Sequence, residues 1–155
     1  MPSRVGLIGL VVVALGSVAG AEPPADALAA PFAAMETALR DSDEPAFRAQ
    51  WHGEGYVKNL VGGSGNTGES MFRQGSRKRW YPKPDLSQAT VRPDGAVAIV
   101  RCKIWSWKNN AAVDAVDVVL VQANGTYVVL GAGEKRSEVD ALAQRWVDKK
   151  PLAPK

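Results

Sequence analysis

The chain reads as an α+β domain, with helices first and a meander of antiparallel strands after them. Two observations set this fold class. Leu28, Phe32, Met35 and Leu39 recur at spacings of four, three and four, which puts them on one face of a helix. From Asp85 to Gly133 the sequence changes to long β-prone segments separated by turn signals, of which Asn124-Gly125 is the strongest. Helices followed by such a meander predict helices gathered on one side of a sheet.

At the N-terminus, Arg4 precedes an uncharged apolar run from Val5 to Val18, and Ala19 and Ala21 supply a small-residue cleavage pattern. Residues 1–21 are therefore expected to be a signal peptide, too short in its apolar core to remain as a stable membrane span. The product would begin at Glu22 and reside in the periplasm or outside the cell. The remaining 134 residues suffice for one domain with a real core and are too few for two. That domain is expected to span 22–150, with a frayed tail at 151–155. Cys102 is the single cysteine, so no intrachain disulfide is possible and packing has to supply the stability.

The elements follow in order. Pro31 is expected in the first turn of the first helix. Asp41, Ser42 and Asp43 end it, and Ser42 or Asp43 can cap a second short helix that carries Phe47 and Trp51 and stops at Gly53 and Gly55. Tyr56 to Val61 has the content of a short strand. A glycine-rich loop leads into a third helix from Glu69 to Arg79, weakened by Gly75. Beyond Pro82 and Pro84, strands are expected at Asp85–Arg92 and Ala96–Trp107, joined by the Pro93-Asp94-Gly95 turn. Asn109-Asn110 turns into a strand at Ala112–Ala123, and Thr126–Gly133 returns beside it. A last amphipathic helix carries Val139, Leu142 and Trp146.

The segments METALRDSDEPAFRAQWH at 35–52 and NGTYVVLGAG at 124–133 resemble the NTF2-like superfamily, the cone-shaped fold of SnoaL-like proteins and ketosteroid isomerases. The resemblance covers about residues 26–135. It implies N-terminal helices packed on a curved antiparallel sheet, with the cone interior as the pocket. The fold hosts enzymes and plain binding modules alike, so it names no reaction. Ketosteroid isomerases place a tyrosine on the first helix and a carboxylate near the first strand, where this chain has Phe32 and Met35, then Val57 and Lys58. Scytalone dehydratases use several histidines, and His52 is the only one here. Limonene epoxide hydrolases set an arginine between two aspartates. Arg101 with Asp114 or Asp117 supplies part of that set, but Lys103 stands where an acid is expected.

Gly63, Gly65 and Gly68 fit the dinucleotide pattern GxGxxG, and residues 63–70 nearly fit a phosphate-binding loop. Neither reading survives its chemistry. Glu69 occupies the place of the phosphate-binding lysine, and the antiparallel context is not a βαβ unit. The loop is expected to be a connection, capped by Thr67, at the entrance of the cone.

Net charge is +3, or +2 without Arg4, too small to imply nucleic-acid binding. Its distribution is uneven: residues 22–68 are acidic, whereas 69–108 carry nine cations against three acids. Arg73 and Arg77 share a helix face, and with Lys78 and Arg79 they form a candidate surface for an anion or a partner, the alternative being a solvated basic face. A lone histidine leaves no His-based metal cluster, and no cofactor is expected. His52 is placed at the end of the second helix, where the dipole favours a cation.

Strand alternation puts Ala98, Val100, Cys102 and Ile104 toward the core and Arg101, Lys103, Trp105 and Trp107 on the other face. That second face reads as a homodimer surface, with cations stacked on exposed tryptophans as the alternative. Taken together, the sequence predicts an exported domain that binds a small molecule or protein partner in a cone lined by Phe32, Met35, Trp51, Tyr56, Cys102 and Ile104. No catalytic set is evident. The alternative is an isomerase, dehydratase or hydrolase in which His52, Tyr56 or Asp117 transfers the proton.

Overall fold

The apolar face read at Leu28, Phe32, Met35 and Leu39 is the buried face of helix α1 (Ala25–Arg40). The structure, a computed structural model, describes residues 23–153, so the expected signal peptide lies outside the described residues. Asp43 rather than Ser42 caps α2 (Glu44–Arg48), accepting the Ala46 amide at 3.2 Å, while Ser42 takes the left-handed φ of 52° that turns the chain. Helix α3 (Gly53–Val57) follows, then the two-residue strand β1 (Gly65–Asn66) and helix α4 (Gly68–Lys78). Strands β2 (Trp80–Val91), β3 (Val97–Ser106), β4 (Ala111–Ala123) and β5 (Thr126–Gly133) come next, and α5 (Arg136–Val147) closes the fold.

The five strands form one antiparallel sheet in the order β1-β5-β4-β3-β2. β2 starts before the expected strand and takes in Pro82 and Pro84. It can do so because it is an edge strand, where a residue without an N–H loses no partner on the open side. Register breaks between Asp85 and Thr90, Ile104 and Trp105, and Val119 and Leu120 bend the sheet. At the β4–β5 turn, Asn124 and Gly125 both have positive φ, 53° and 84°, as a two-residue hairpin of the right twist requires.

Helices cover both faces of the sheet, not one. Ala98, Val100, Cys102 and Ile104 of β3, with Val118 and Leu120 of β4, pack against Phe32, Met35, Phe47 and Tyr56 from the N-terminal helices. The residues between them, Val97, Ile99, Val119 and Val121, pack against Val139, Leu142 and Ala143 of α5. The sequence put α5 in the fold but gave no sign of which face it would cover. The expected tail also contributes: Leu152 packs beside this second cluster, and its carbonyl accepts Arg145 Nε at 3.0 Å.

Two local expectations fail between Trp51 and Val61. Helix α2 stops at Arg48, and Trp51 instead forms a parallel bridge with Val129, with His52 N donating to Val129 O and Val129 N to Gln50 O, each at 2.8 Å. Tyr56 and Val57 are helical, and Leu60 and Val61 are buried without being a strand. The glycines expected to stop a helix begin one. The cause is the approach of this segment to β5: a Cβ on Gly55 would overlap the Leu130 carbonyl, so the chain needs glycine for closeness rather than for a turn. Gly75, expected to weaken α4, has a similar role, since a Cβ there would meet Trp80 O at 2.8 Å and Leu39 Cδ2 at 2.9 Å.

Gly55→Ala is therefore expected to destabilise the fold by about 3 kcal/mol in urea unfolding, because the obstructing atom is backbone. Gly53→Ala, with nothing within 4 Å of its added Cβ, should change stability by less than about 0.5 kcal/mol. Equal costs at the two positions would contradict this account of the segment.

Candidate functional site

The six residues expected to line the cone do come together, but as packed core. Phe32, Met35, Trp51, Tyr56, Cys102 and Ile104 are each 5% exposed or less. Trp51 lies between Phe47 and Tyr56, with ring centroids at 6.1 and 6.4 Å, and Phe47 continues to Phe72 at 5.5 Å. Gly68, the last glycine of the GxGxxG match, lets α4 approach those rings: a Cβ there would stand 2.6 Å from Tyr56 Cδ2 and 2.7 Å from Trp51 Cδ2. Tight packing, not a phosphate, accounts for that glycine. Burial holds the Cys102 thiol far above its ordinary range, the charge of Asp117 adding to the shift and Arg101 opposing it.

The rest of the glycine loop is tied down by the chain itself. Asn59 accepts the Val61 and Gly62 amides with Oδ1 and donates from Nδ2 to the Gly62 and Gly65 carbonyls. Ser64 donates to Glu138 Oε1 from its amide at 3.1 Å and from its hydroxyl at 2.7 Å, and its Oγ accepts the Lys135 amide at 3.0 Å. The anion beside the loop is thus a carboxylate of α5. Thr67 caps α4 as expected, accepting the Ser70 amide at 3.0 Å.

The three candidate proton-transfer residues have separate partners, and no hydrogen bond joins any two of them among the described residues. His52 is not at a helix C-terminus. It caps the N-terminus of α3, with Nδ1 accepting the Glu54 amide at 3.3 Å and the ring edge-on to Trp146 at 5.6 Å. The dipole argument for a cation there is reversed, because a helix N-terminus favours an acceptor. Tyr56 donates to Glu44 Oε1 at 2.9 Å beneath the Arg48 guanidinium. Burial, then that hydrogen bond, hold its hydroxyl well above the usual tyrosine value. Asp117, 2% exposed, faces the α5 side of the sheet between Arg101 at 3.3 Å and Arg136 at 3.7 Å.

The basic run divides. Arg73 and Arg77 line a shallow pocket of about 470 Å³ together with Glu44 and Glu69, and Arg73 lies 3.9 Å from Glu69. Arg79 is the left-handed cap of α4, with φ 60°, while Lys78 points the run toward a different cavity. The expected dimer face divides as well. Helix α5 occupies one end of it, and Arg101, Lys103 and Trp105 remain at the other. Lys83 sits 4.3 Å from the Trp105 ring centroid, the cation stacking that the sequence left open. Trp107 packs instead beside Tyr81, with the Arg40 guanidinium over both rings at 5.0 and 5.7 Å.

The arrangement with most chemical content is a pocket of about 490 Å³ at one end of the curved sheet, bounded by α4, the start of β2 and the ends of β3, β4 and β5. Met71, Ile104 and Val116 form its buried apolar floor; Trp80 and Gln74 are half-buried on its wall. Lys78, Asp114, Glu134 and Val113 stand at its rim, where Val113 is 54% exposed. A hydrogen bond to Asp114, then the charge of that neighbour, raise Glu134 above its ordinary value, as expected where two carboxyls stand side by side. Ser106, 3% exposed, completes the lining, its Oγ accepting the Asn109 amide at 3.1 Å.

Sequence reasoning reached Ile104, Lys78 and Asp114 but not the pocket they share. Trp80, Val113 and Glu134 went unnoticed. The available signal was hairpin arithmetic: the Asn124-Gly125 turn sends β4 and β5 back along each other, which brings the residues just beyond Asp117 and Gly133 to one end of the sheet. Neither the family models nor the curated proteins compared with the chain give a match.

Two hydrogen bonds from Ser64 hold Glu138 below the usual carboxylate value. A depressed folded value contributes stability above the unfolded carboxylate range and loses it as pH falls through the folded value. Glu138→Gln is expected to lower the thermal midpoint modestly at neutral pH, with the gap to the parent closing below about pH 4. A gap undiminished at about pH 3 would show that the carboxylate charge is not what holds the loop.

Proposed function

We propose that this chain is an NTF2-like binding domain whose site is the pocket at the open end of the cone rather than the cone's interior. The observation that carries the reading is the pocket's make-up. Its roughly 490 Å³ falls within the range of small-molecule sites, and an apolar floor meets a few convergent polar groups. Of the six residues expected to line the interior, all lie in the packed core and only Ile104 reaches this pocket. Binding without catalysis fits the dispersal of His52, Tyr56 and Asp117 among unrelated partners. Export and self-association through the strip at Arg101, Lys103 and Trp105 belong to the same proposal.

A second reading has one specific support. Asp114 and Glu134 form a carboxylate pair at the pocket rim, and the raised value of Glu134 suits a general acid. An isomerase, dehydratase or hydrolase built on this pair would lose turnover in Glu134→Gln.

Methyl-detected NMR with a fragment library tests the main reading. Fragments are expected to shift Met71, Ile104, Val113 and Val116 and to leave Met35 unmoved. Gln74→Trp, which fills the pocket from a half-buried helix position, should abolish those shifts while moving the thermal midpoint by less than about 3 °C. Shifts centred on Met35 would return the site to the cone interior.

A further inference from the structure

We propose that the ligand of the open-end pocket is a small organic monocation, an ammonium group on an apolar body that also carries an acceptor oxygen. This deepens the reading just given and rests on it.

The charge comes from what the two carboxylates lack. None of the ion pairs among the described residues involves Asp114 or Glu134, and the hydrogen bond Asp114 receives is from the neighbouring Ala115 amide at 2.8 Å. Two like charges with no cation between them repel, and a ligand cation would relieve that repulsion. Lys78 on the α4 side offsets one of the two, so the lining carries a net charge of minus one, which suits a monocation. A metal dication is a poorer fit, because the described residues bring no three His, Cys, Asp or Glu side chains together.

The body and the oxygen come from the rest of the lining. Met71, Ile104 and Val116 offer an apolar floor, Val113 an exposed apolar edge, and Trp80 an aromatic wall that tolerates both a ring and a cation. Ser106 supplies an independent sign of a ligand. Its hydroxyl oxygen accepts from Asn109, but among the described residues its proton has no acceptor, although the residue is only 3% exposed at the pocket lining. A buried donor left unpaired costs free energy that a ligand oxygen would recover.

Three probes that share one body and differ in charge separate this inference from the pocket reading: 2-phenoxyethylamine, 2-phenoxyethanol and phenoxyacetate, titrated at neutral pH into the protein while its methyl spectrum is followed. The amine is expected to bind at least about tenfold more tightly than the alcohol, and the acid most weakly. Asp114→Asn combined with Glu134→Gln should bring the amine to the level of the alcohol, and Lys78→Ala should tighten amine binding. Equal affinity for the three probes, or preference for the acid, overturns the inference and leaves the pocket reading standing. Failure of all three to move the Ile104, Val113 and Val116 methyls overturns both.

Discussion

The bridge between Trp51 and Val129 is the constraint on which the rest of the structure depends. It fastens the connection between α2 and α3 directly to β5, and the two backbones come so close at Gly55 and Leu130 that a methyl group cannot fit between them. Once that seam closes, Trp51 and Tyr56 have to lie inside, and Gly68 allows α4 to close over them. The helical half of the molecule is thereby clamped to the sheet. The interior fills with aromatic rings, and a cavity remains at the end of the curved sheet, between α4 and the strand ends.

A second consequence concerns the glycine-rich loop. Loops of this composition bind anions because their amides are free and glycine lets the backbone approach. Here those amides are already taken, by Asn59 on one side and by Glu138 on the other. The internal carboxylate stands where an external phosphate would have been inferred. It also links the loop to α5 and so to the far face of the sheet, making the loop a brace between the two layers of helix.

The two faces of the sheet carry different chemistry for a simple reason. β3 and β4 are apolar on both faces over Val97–Val100 and Val118–Val121, which demands cover on both sides, and α5 supplies it on the second. Farther along the same strands the second face changes to Arg101, Lys103 and Asp117, where Asp117 is buried between two arginines. Helix α5 covers the apolar stretch and its Arg136 reaches Asp117, while Lys103 stays exposed and Arg101 partly so.

Much of the architecture was legible in the sequence because it rests on local physics. Helical spacing gave α1, capping residues gave the starts of α2 and α4, and positive-φ turn residues placed the β4–β5 hairpin. The strand alternation of β3 sorted Cys102 and Ile104 from Arg101 and Lys103 correctly, since period-two burial is set by the pleat alone. What only the tertiary structure decided was which distant atoms meet. Gly55 and Gly75 look in sequence like breakers and Gly68 like part of a nucleotide loop, but the space at each is closed by contacts that include residues remote along the chain, Leu130, Leu39 and Trp51. The pocket is of the same kind, because Trp80, Asp114 and Glu134 come from three strand ends whose convergence depends on bulges and sheet curvature that no local window encodes.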